Sequence, residues 1–332
     1  MDDGFPMISH VIENRNFAMK KYLKAVAGLV LLVIVAGAGV YWFFPGALLN
    51  GMTQAAKWKG GIDTLSVRVD DHHWPYLEAG NPGKETIVLI HGFSSSKEPW
   101  INIMTRFGKT YHVVAPDLPG FAKNTPVPGA SYTIPEQAAR LDRFLSVLGL
   151  KQVHLFGISM GGYISAWYAA HYPDRLLSLV LMDAAGVQTP ETPDYVRHFE
   201  TTGENLLIPE DNLGFEEMMA IIYHVPPKIP SRFADHIMEL RRKRLKTESL
   251  MFDSVLKSLG TPLEPHLPKI TAPTLIIWGD KDRIVDVSAV KVFESGIPNH
   301  RTVIFKDVGH VPFLEAPERT CSAYETFLTG LK

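Results

Sequence analysis

The sequence predicts an α/β protein. Its expected parts are a mostly parallel eight-stranded sheet with helices on both faces, a helical cap and an N-terminal transmembrane helix. Three observations lead there. From residue 62 onward, short apolar runs alternate with helix-length amphipathic ones, as in a parallel sheet covered on both faces. One such run ends in Gly157-Ile-Ser-Met-Gly161, a glycine-flanked serine between a strand and a helix. And Ala25–Phe44 is uncharged and apolar over the length that crosses a bilayer, about 20 residues.

Composition narrows the classes. The chain of 332 residues carries 33 basic and 35 acidic side chains, a formal net charge of -2, so no electrostatic footprint points to nucleic acid. Cys321 is the one cysteine, which rules out an intramolecular disulfide, and no His/Cys cluster stands at zinc-ligand spacing. Cys321 itself reads as a small apolar residue packed from a C-terminal helix.

In chain order, residues 1–24 form a tail whose last stretch carries Lys20, Lys21 and Lys24. Residues 25–44 are the span. It closes on Tyr41-Trp42-Phe43-Phe44, suited to an interfacial aromatic belt, and Pro45-Gly46 stops it. A cleaved signal peptide is the competing reading. The apolar core is longer than a signal core, and bulky aromatics stand where cleavage wants small residues. Arg15 and the three lysines before the span outweigh Lys57 and Lys59 after it. That bias predicts a cytoplasmic N-terminus and a large domain outside the cytoplasm, at the periplasmic face of the inner membrane in a bacterium. Gly28, Gly37 and Gly39 offer small faces for a homodimer through the anchor, although no G-x-x-x-G spacing is present.

Residues 45–61, with Leu48, Leu49, Met52 and Trp58, read as an amphipathic juxtamembrane helix or a linker. Ile62–Val69 and Trp74–Glu78 alternate like an edge hairpin or meander. Further strands are expected at Thr86–His91, Tyr111–Ala115, Val153–Phe156, Leu177–Asp183, Thr274–Trp278 and Thr302–Phe305. Helices are expected at Ile134–Leu148, Met160–Tyr172, Ser288–Ser295 and Pro317–Leu328. Residues 62–186 and 266–332 then make the core. Residues 187–265 break the rhythm. Their helical pieces Phe215–His224, Arg232–Leu245 and Ser249–Ser258, with prolines between, read as a cap over the site.

The Gly157–Gly161 pattern has the form of a nucleophile elbow, in which a strained turn lifts the serine Oγ clear of the sheet and aims a helix N-terminus at it. Five residues match by chance often. The strand before and the small-residue helix after are what mark Ser159 as a nucleophile. A serine nucleophile needs a base, an orienting acid and an oxyanion hole. His310, in Asp307-Val-Gly-His310, follows a strand and precedes the last helix, so it falls at the carboxyl edge beside the elbow. In Gly279-Asp-Lys-Asp282, two carboxylates compete. Asp280 is placed to shape the turn, whereas Asp282 lies deeper in the loop and is the expected partner of His310. The oxyanion donors are expected to be the backbone N–H groups of Met160 and of Phe93, in His91-Gly-Phe-Ser94. His91 is expected to brace that loop by a hydrogen bond.

With these motifs and Asp117-Leu-Pro-Gly120, residues 62–330 resemble the α/β-hydrolase superfamily. Phe156-Gly-Ile-Ser-Met-Gly-Gly162, Met182-Asp-Ala-Ala-Gly186 and the span together resemble membrane-anchored monoacylglycerol lipases. They are similar also to bacterial single-span phospholipases A and lysophospholipases of the inner membrane. The resemblance implies hydrolysis of lipid carboxylic esters with no metal or cofactor, on substrates and lipids of the bilayer itself. Carbon–carbon bond hydrolases and short-chain esterases also use an elbow serine, and a non-catalytic binding module is a third reading. Two features of the expected cap remain open. Arg241-Arg-Lys-Arg244 with Lys246 suits anionic headgroups or a solvated helix face. Phe215, Met218, Met219, Ile221, Ile222, Phe252 and Leu256 suit an acyl pocket or ordinary inward helix faces.

Overall fold

The computed structural model of the protein describes residues 6–331. It opens with one helix, α1 (Pro6–Phe43). The helix runs without interruption across residue 25, the boundary expected between tail and span. Lysine is a good helix former, so Lys20, Lys21 and Lys24 carry the helix through. The apolar stretch long enough to cross a membrane is Met19–Phe43. Residues 1–5 of the expected tail lie outside the described residues. Along Leu29–Val35 the apolar side chains are exposed, Leu32 at 65%. Such a helix has nothing from this chain to bury itself against.

Phe44 interrupts the helix, and α2 (Pro45–Gly60) restarts it with proline in its first turn, where a missing N–H costs nothing. Gly61 ends α2 in the left-handed conformation, donating to the Lys57 and Trp58 carbonyls. The juxtamembrane segment is therefore a helix and not a linker. It packs on the folded part, where buried Lys57 donates from Nζ to Thr64 Oγ1 at 2.9 Å. Burial lowers the Lys57 pKa.

The strands are β1 (Ile62–Val69), β2 (His72–Ala79), β3 (Thr86–Ile90), β4 (His112–Pro116), β5 (Val153–Ile158), β6 (Leu176–Met182), β7 (Thr274–Gly279) and β8 (His300–Phe305). They form one sheet in the order β1-β2-β4-β3-β5-β6-β7-β8. β1 and β2 are the expected edge hairpin. They join antiparallel, and β2 joins β4 antiparallel; the remaining pairings are parallel. β3 and β5 are buried throughout, because helices cover both faces. Successive side chains alternate between two cores, Val88 and Ile90 on one side with Trp74 and Phe144, Ile87 and Leu89 on the other with Trp100 and Tyr324. Each such burial contributes about 1.5–3 kcal/mol, which pins the strand ends that carry the site.

The flanking helices are α3 (Ile101–Phe107), α4 (Ile134–Val147) and α5 (Met160–His171). Between β6 and β7 stand α6 (Asp194–Thr202), α7 (Asn212–Ile222), α8 (Ser231–Arg242) and α9 (Leu245–Ser258). The chain closes with α10 (Ala289–Gly296), α11 (Pro312–Glu315) and α12 (Pro317–Thr329). Three of these, α3, α6 and α11, have no counterpart in the sequence reading. Each is short, and proline precedes or opens α6 and α11, which disguises a helix as a loop. α7 starts earlier than expected because the Asp211 side chain caps it, accepting the Gly214 N–H at 2.8 Å. α8 meets the end of α1. The Arg232 guanidinium donates to the Trp42 carbonyl at 2.8 and 3.2 Å, and Tyr41 packs edge-on against Phe233.

Candidate active site

Ser159 sits between β5 and α5 with φ 55° and ψ -123°. A non-glycine residue in that conformation costs on the order of 1–3 kcal/mol and persists only when its surroundings enforce it. They do so here. Its N–H donates to the Met182 carbonyl at 3.0 Å, and its carbonyl accepts from Tyr163 and Ala185 at 3.0 and 3.1 Å. The flanking glycines permit the close packing. A Cβ on Gly161 would stand 2.5 Å from the carbonyl oxygens of Ile90 and His91, and one on Gly157 would overlap the Gly161 carbonyl.

His310 follows β8. Its Nδ1 donates to Asp282 Oδ2 at 2.8 Å, and both groups are buried, 6% and 5% exposed. A carboxylate on Nδ1 puts the ring hydrogen there and leaves Nε2 as an acceptor. Asp282 Oδ1 accepts from the Ile284 and Val285 N–H groups at 2.8 and 3.0 Å, so the acid is held from both sides. Asp280 does something else. Its Oδ1 accepts the Asp307 N–H at 2.7 Å, tying the two strand-end loops together. Ser159 and His310 line one cavity of about 220 Å³, with Phe93, Met218 and Ile222 among its walls.

The loop after β3 passes beside the serine. A Cβ on Gly92 would lie 3.2 Å from the Ser159 Cβ. His91 braces this loop as expected, donating from Nδ1 to the Gly92 carbonyl at 2.8 Å and accepting the Leu118 N–H on Nε2 at 3.0 Å. Full burial lowers its pKa, so it stays neutral. Asp117 fastens the other end, accepting the Lys97 N–H at 3.0 Å and Lys97 Nζ at 2.6 Å. The Phe93 N–H has no backbone partner among the described residues, and the first N–H of α5, at Met160, has none within the helix. Both N–H groups thus belong to the segments that flank Ser159, and the helix that starts there has a dipole that favours negative charge.

This arrangement has company. The sequence pattern of the alpha/beta hydrolase fold matches residues 85–207 and 229–317. The chain belongs to that family. Monoacylglycerol lipase ABHD6 of Bos taurus is 29% identical over 314 residues, 92% of this chain and 93% of that protein. Lipase 1 of Psychrobacter immobilis is 32% identical over 258 residues, 77% of this chain and 81% of its own. The crystal structure of a bacterial membrane phospholipase A superposes with a TM-score of 0.84 at 38% identity, over 93% of this chain and 98% of that one.

Three further side chains stand at this α/β hydrolase site: Asp183 and Glu315, which the sequence did not single out, and Arg241, whose place the sequence left open between anionic headgroups and a solvated face. Asp183, after β6, is fully buried; its Oδ1 accepts the Gly279 N–H at 3.0 Å, and its carboxyl faces that of Asp282. It shares a cluster with Asp282 and His310, their polar atoms all within 4.8 Å. A metal there would have to displace the His310–Asp282 bond and the two N–H groups on Asp282. Burial first, then the neighbouring Asp282 carboxylate, hold the Asp183 pKa well above the usual carboxylate range. Glu315 accepts the N–H groups of Gly309, His224 and Val225 at 2.8, 2.8 and 3.2 Å, locking the His310 loop to the end of α7. Arg241 lines the cavity from α8. Its legible signal was its spacing of four and three residues from Ile237 and Met238, which puts it on the inner face of a basic helix.

The apolar cap residues divide. Met218, Met219 and Ile222 line the site, Phe215 and Met218 pack with Met238, and Phe252 and Leu256 line a second cavity of about 790 Å³ that neither Ser159 nor His310 touches.

A pH test follows from Asp183. Its pKa is raised in the folded state above that of an unfolded carboxyl, about 3.9. The contribution of this shift to stability is complete below the unfolded value and is lost as pH rises toward the folded one. Asp183→Asn is therefore expected to gain stability relative to the parent as pH rises from 4 to 8, read as the difference in thermal midpoints. A difference independent of pH would mean that Asp183 is ionised and paired.

Proposed function

We propose that this protein is a membrane-anchored serine hydrolase that cleaves carboxylic esters of lipids. The observation that carries the reading is the buried 2.8 Å His310–Asp282 hydrogen bond beside the cavity that His310 shares with Ser159. In this reading His310 Nε2 takes the Ser159 proton as Oγ attacks the acyl carbonyl. The negative charge that develops on the carbonyl oxygen is held by the N–H groups of Phe93 and Met160. As the intermediate collapses, the same proton passes from His310 to the leaving alcohol oxygen, and the acyl group stays on Ser159. Water then repeats the sequence and frees the fatty acid. Asp282 fixes the ring and stabilises its cationic form without itself becoming protonated.

The lipid substrate rests on two supports. The relatives are lipases, a monoacylglycerol lipase and a membrane phospholipase A. The chain also carries an apolar, exposed helix over Met19–Phe43, whose outer end shows Trp42, Phe43 and Phe44, with Trp58 of α2 86% exposed beyond it. Exposed aromatics at one end of an apolar helix match a membrane interface. The basic residues Arg15, Lys20, Lys21 and Lys24 at the N-terminal end of this helix, against Lys57 and Lys59 after it, support a cytoplasmic N-terminus with the hydrolase outside the cytoplasm.

The test uses the full-length chain in detergent with four substrates: a monoacylglycerol, a lysophospholipid, a diacyl phospholipid and a short soluble ester. Fatty-acid release from at least one lipid is expected, blocked by a fluorophosphonate that labels Ser159. Cleavage of the short ester alone would reject the lipid substrate, and no release at all would reject the esterase. In cell fractions the protein is expected in the membrane pellet after high-salt and alkaline washes; recovery in the supernatant would reject the anchor.

A further inference from the structure

The cavity around Ser159 is walled largely by apolar side chains, and Arg241 is the only Lys, Arg, Asp or Glu among its lining residues. Arg241 is poorly matched to a purely structural role. Its recorded contacts all fall on Nη2, which donates to Ser94 Oγ at 2.9 Å and to the Leu207 carbonyl at 3.0 Å and stands 3.5 Å from Glu248 Oε2. Nε is buried with no hydrogen-bond partner among the described residues, and so is Glu248 Oε2. The Glu248 side chain is only 2% exposed, so this is a buried ion pair with loose geometry on both sides. A buried charge held that loosely is costly, and a planar guanidinium with donors to spare is built to take an oxyanion across two of them.

Its position says which oxyanion. Ser94, its hydrogen-bond partner, follows Phe93 directly in the chain, so their Cα atoms are about 3.8 Å apart. The guanidinium therefore stands next to the loop that would hold the ester oxygen in the proposed reaction. Ser94 and Ser95 stand in the same wall. In a glycerophospholipid the phosphate and the acyl ester hang on one glycerol, on adjacent carbons for a 2-acyl chain and one carbon further apart for a 1-acyl chain. A monoacylglycerol has no anion at that place.

We propose that Arg241, with Ser94 and Ser95 beside it, forms an anion subsite that binds the phosphodiester of a glycerophospholipid beside Ser159. This deepens the lipid-esterase reading and rests on it. Glu248 is then the internal counter-ion that occupies Arg241 until the phosphate arrives.

The test compares oleoyl lysophosphatidylethanolamine with oleoylglycerol on the full-length chain in detergent micelles. The two share the acyl chain and differ by the phosphate. In Arg241→Met, the ratio of kcat/KM for the lysophospholipid over the monoacylglycerol is expected to fall about tenfold or more, through KM, the range for a charge-assisted contact. Arg241→Lys keeps the charge without the fork and should fall part of the way. Glu248→Gln releases the guanidinium and should move the ratio in the opposite direction. Labelling of Ser159 by a fluorophosphonate and thermal midpoints check the fold; if Arg241→Met does not fold, the lysine and glutamine variants carry the comparison. Equal losses on both substrates would overturn the proposal and make Arg241 a strut for the Ser94 loop, as would an unchanged ratio. A parent enzyme that cleaves oleoylglycerol and not the lysophospholipid would overturn the subsite and leave the esterase standing, whereas cleavage of neither would bring down the reading beneath it.

Discussion

Ser159→Ala is expected to lower kcat for ester hydrolysis by roughly a millionfold, to the residual rate that binding and the oxyanion donors supply alone. The size follows from the arrangement. Without Oγ the His310–Asp282 pair has no proton to take and no covalent intermediate forms, so their contributions vanish with it. Stability should barely change, by less than about 1 kcal/mol, because the hydrogen bonds that hold the elbow come from the Ser159 backbone. Single-turnover acyl release and a thermal melt on the same preparation check both halves. More than about one per cent residual activity would place the nucleophile elsewhere.

Asp282→Asn comes next, at about ten-thousandfold in kcat. An asparagine amide can offer an N–H to His310 Nδ1, which puts the ring hydrogen on Nε2 and removes the acceptor that Ser159 needs. Asp280→Asn should cost less than about tenfold, since Asp280 only accepts the Asp307 N–H and pairs with Lys281 at 3.4 Å. Rate profiles of the two variants decide between them. If the Asp280 variant is the slower, the orienting role belongs to Asp280.

Strand-to-helix alternation, the glycine-flanked serine and the apolar span were legible because each depends on neighbours in sequence. Short continuous apolar runs identify strands buried on both faces wherever they fall, and Ser159 is recognised by residues within a few positions of it. The prediction of β1 and β2 as an edge hairpin held for the same reason. The helices α3 and α11 were missed because each is too short for its period to register, and α6 because it opens directly behind Pro190 and Pro193. The helix runs through Lys20, Lys21 and Lys24 without interruption, since lysine is a good helix former.

By itself the sequence determined that this chain forms a parallel sheet with an elbow serine, that a histidine and one of two aspartates stand at strand ends downstream, and that an apolar helix precedes them. Those are properties of short windows. Only the tertiary structure decided which aspartate meets His310, since Asp280 and Asp282 differ by two positions in the chain and the loop geometry alone turns one toward the ring and the other toward Asp307. It alone brought Asp183 from another strand into the same buried cluster, and Arg241 from a helix in the segment between β6 and β7 into the cavity wall. The physical reason is common to all three. Burial and partner identity depend on contacts between segments far apart in sequence, and it is burial and partners that turn a charged side chain into a chemical group with a task.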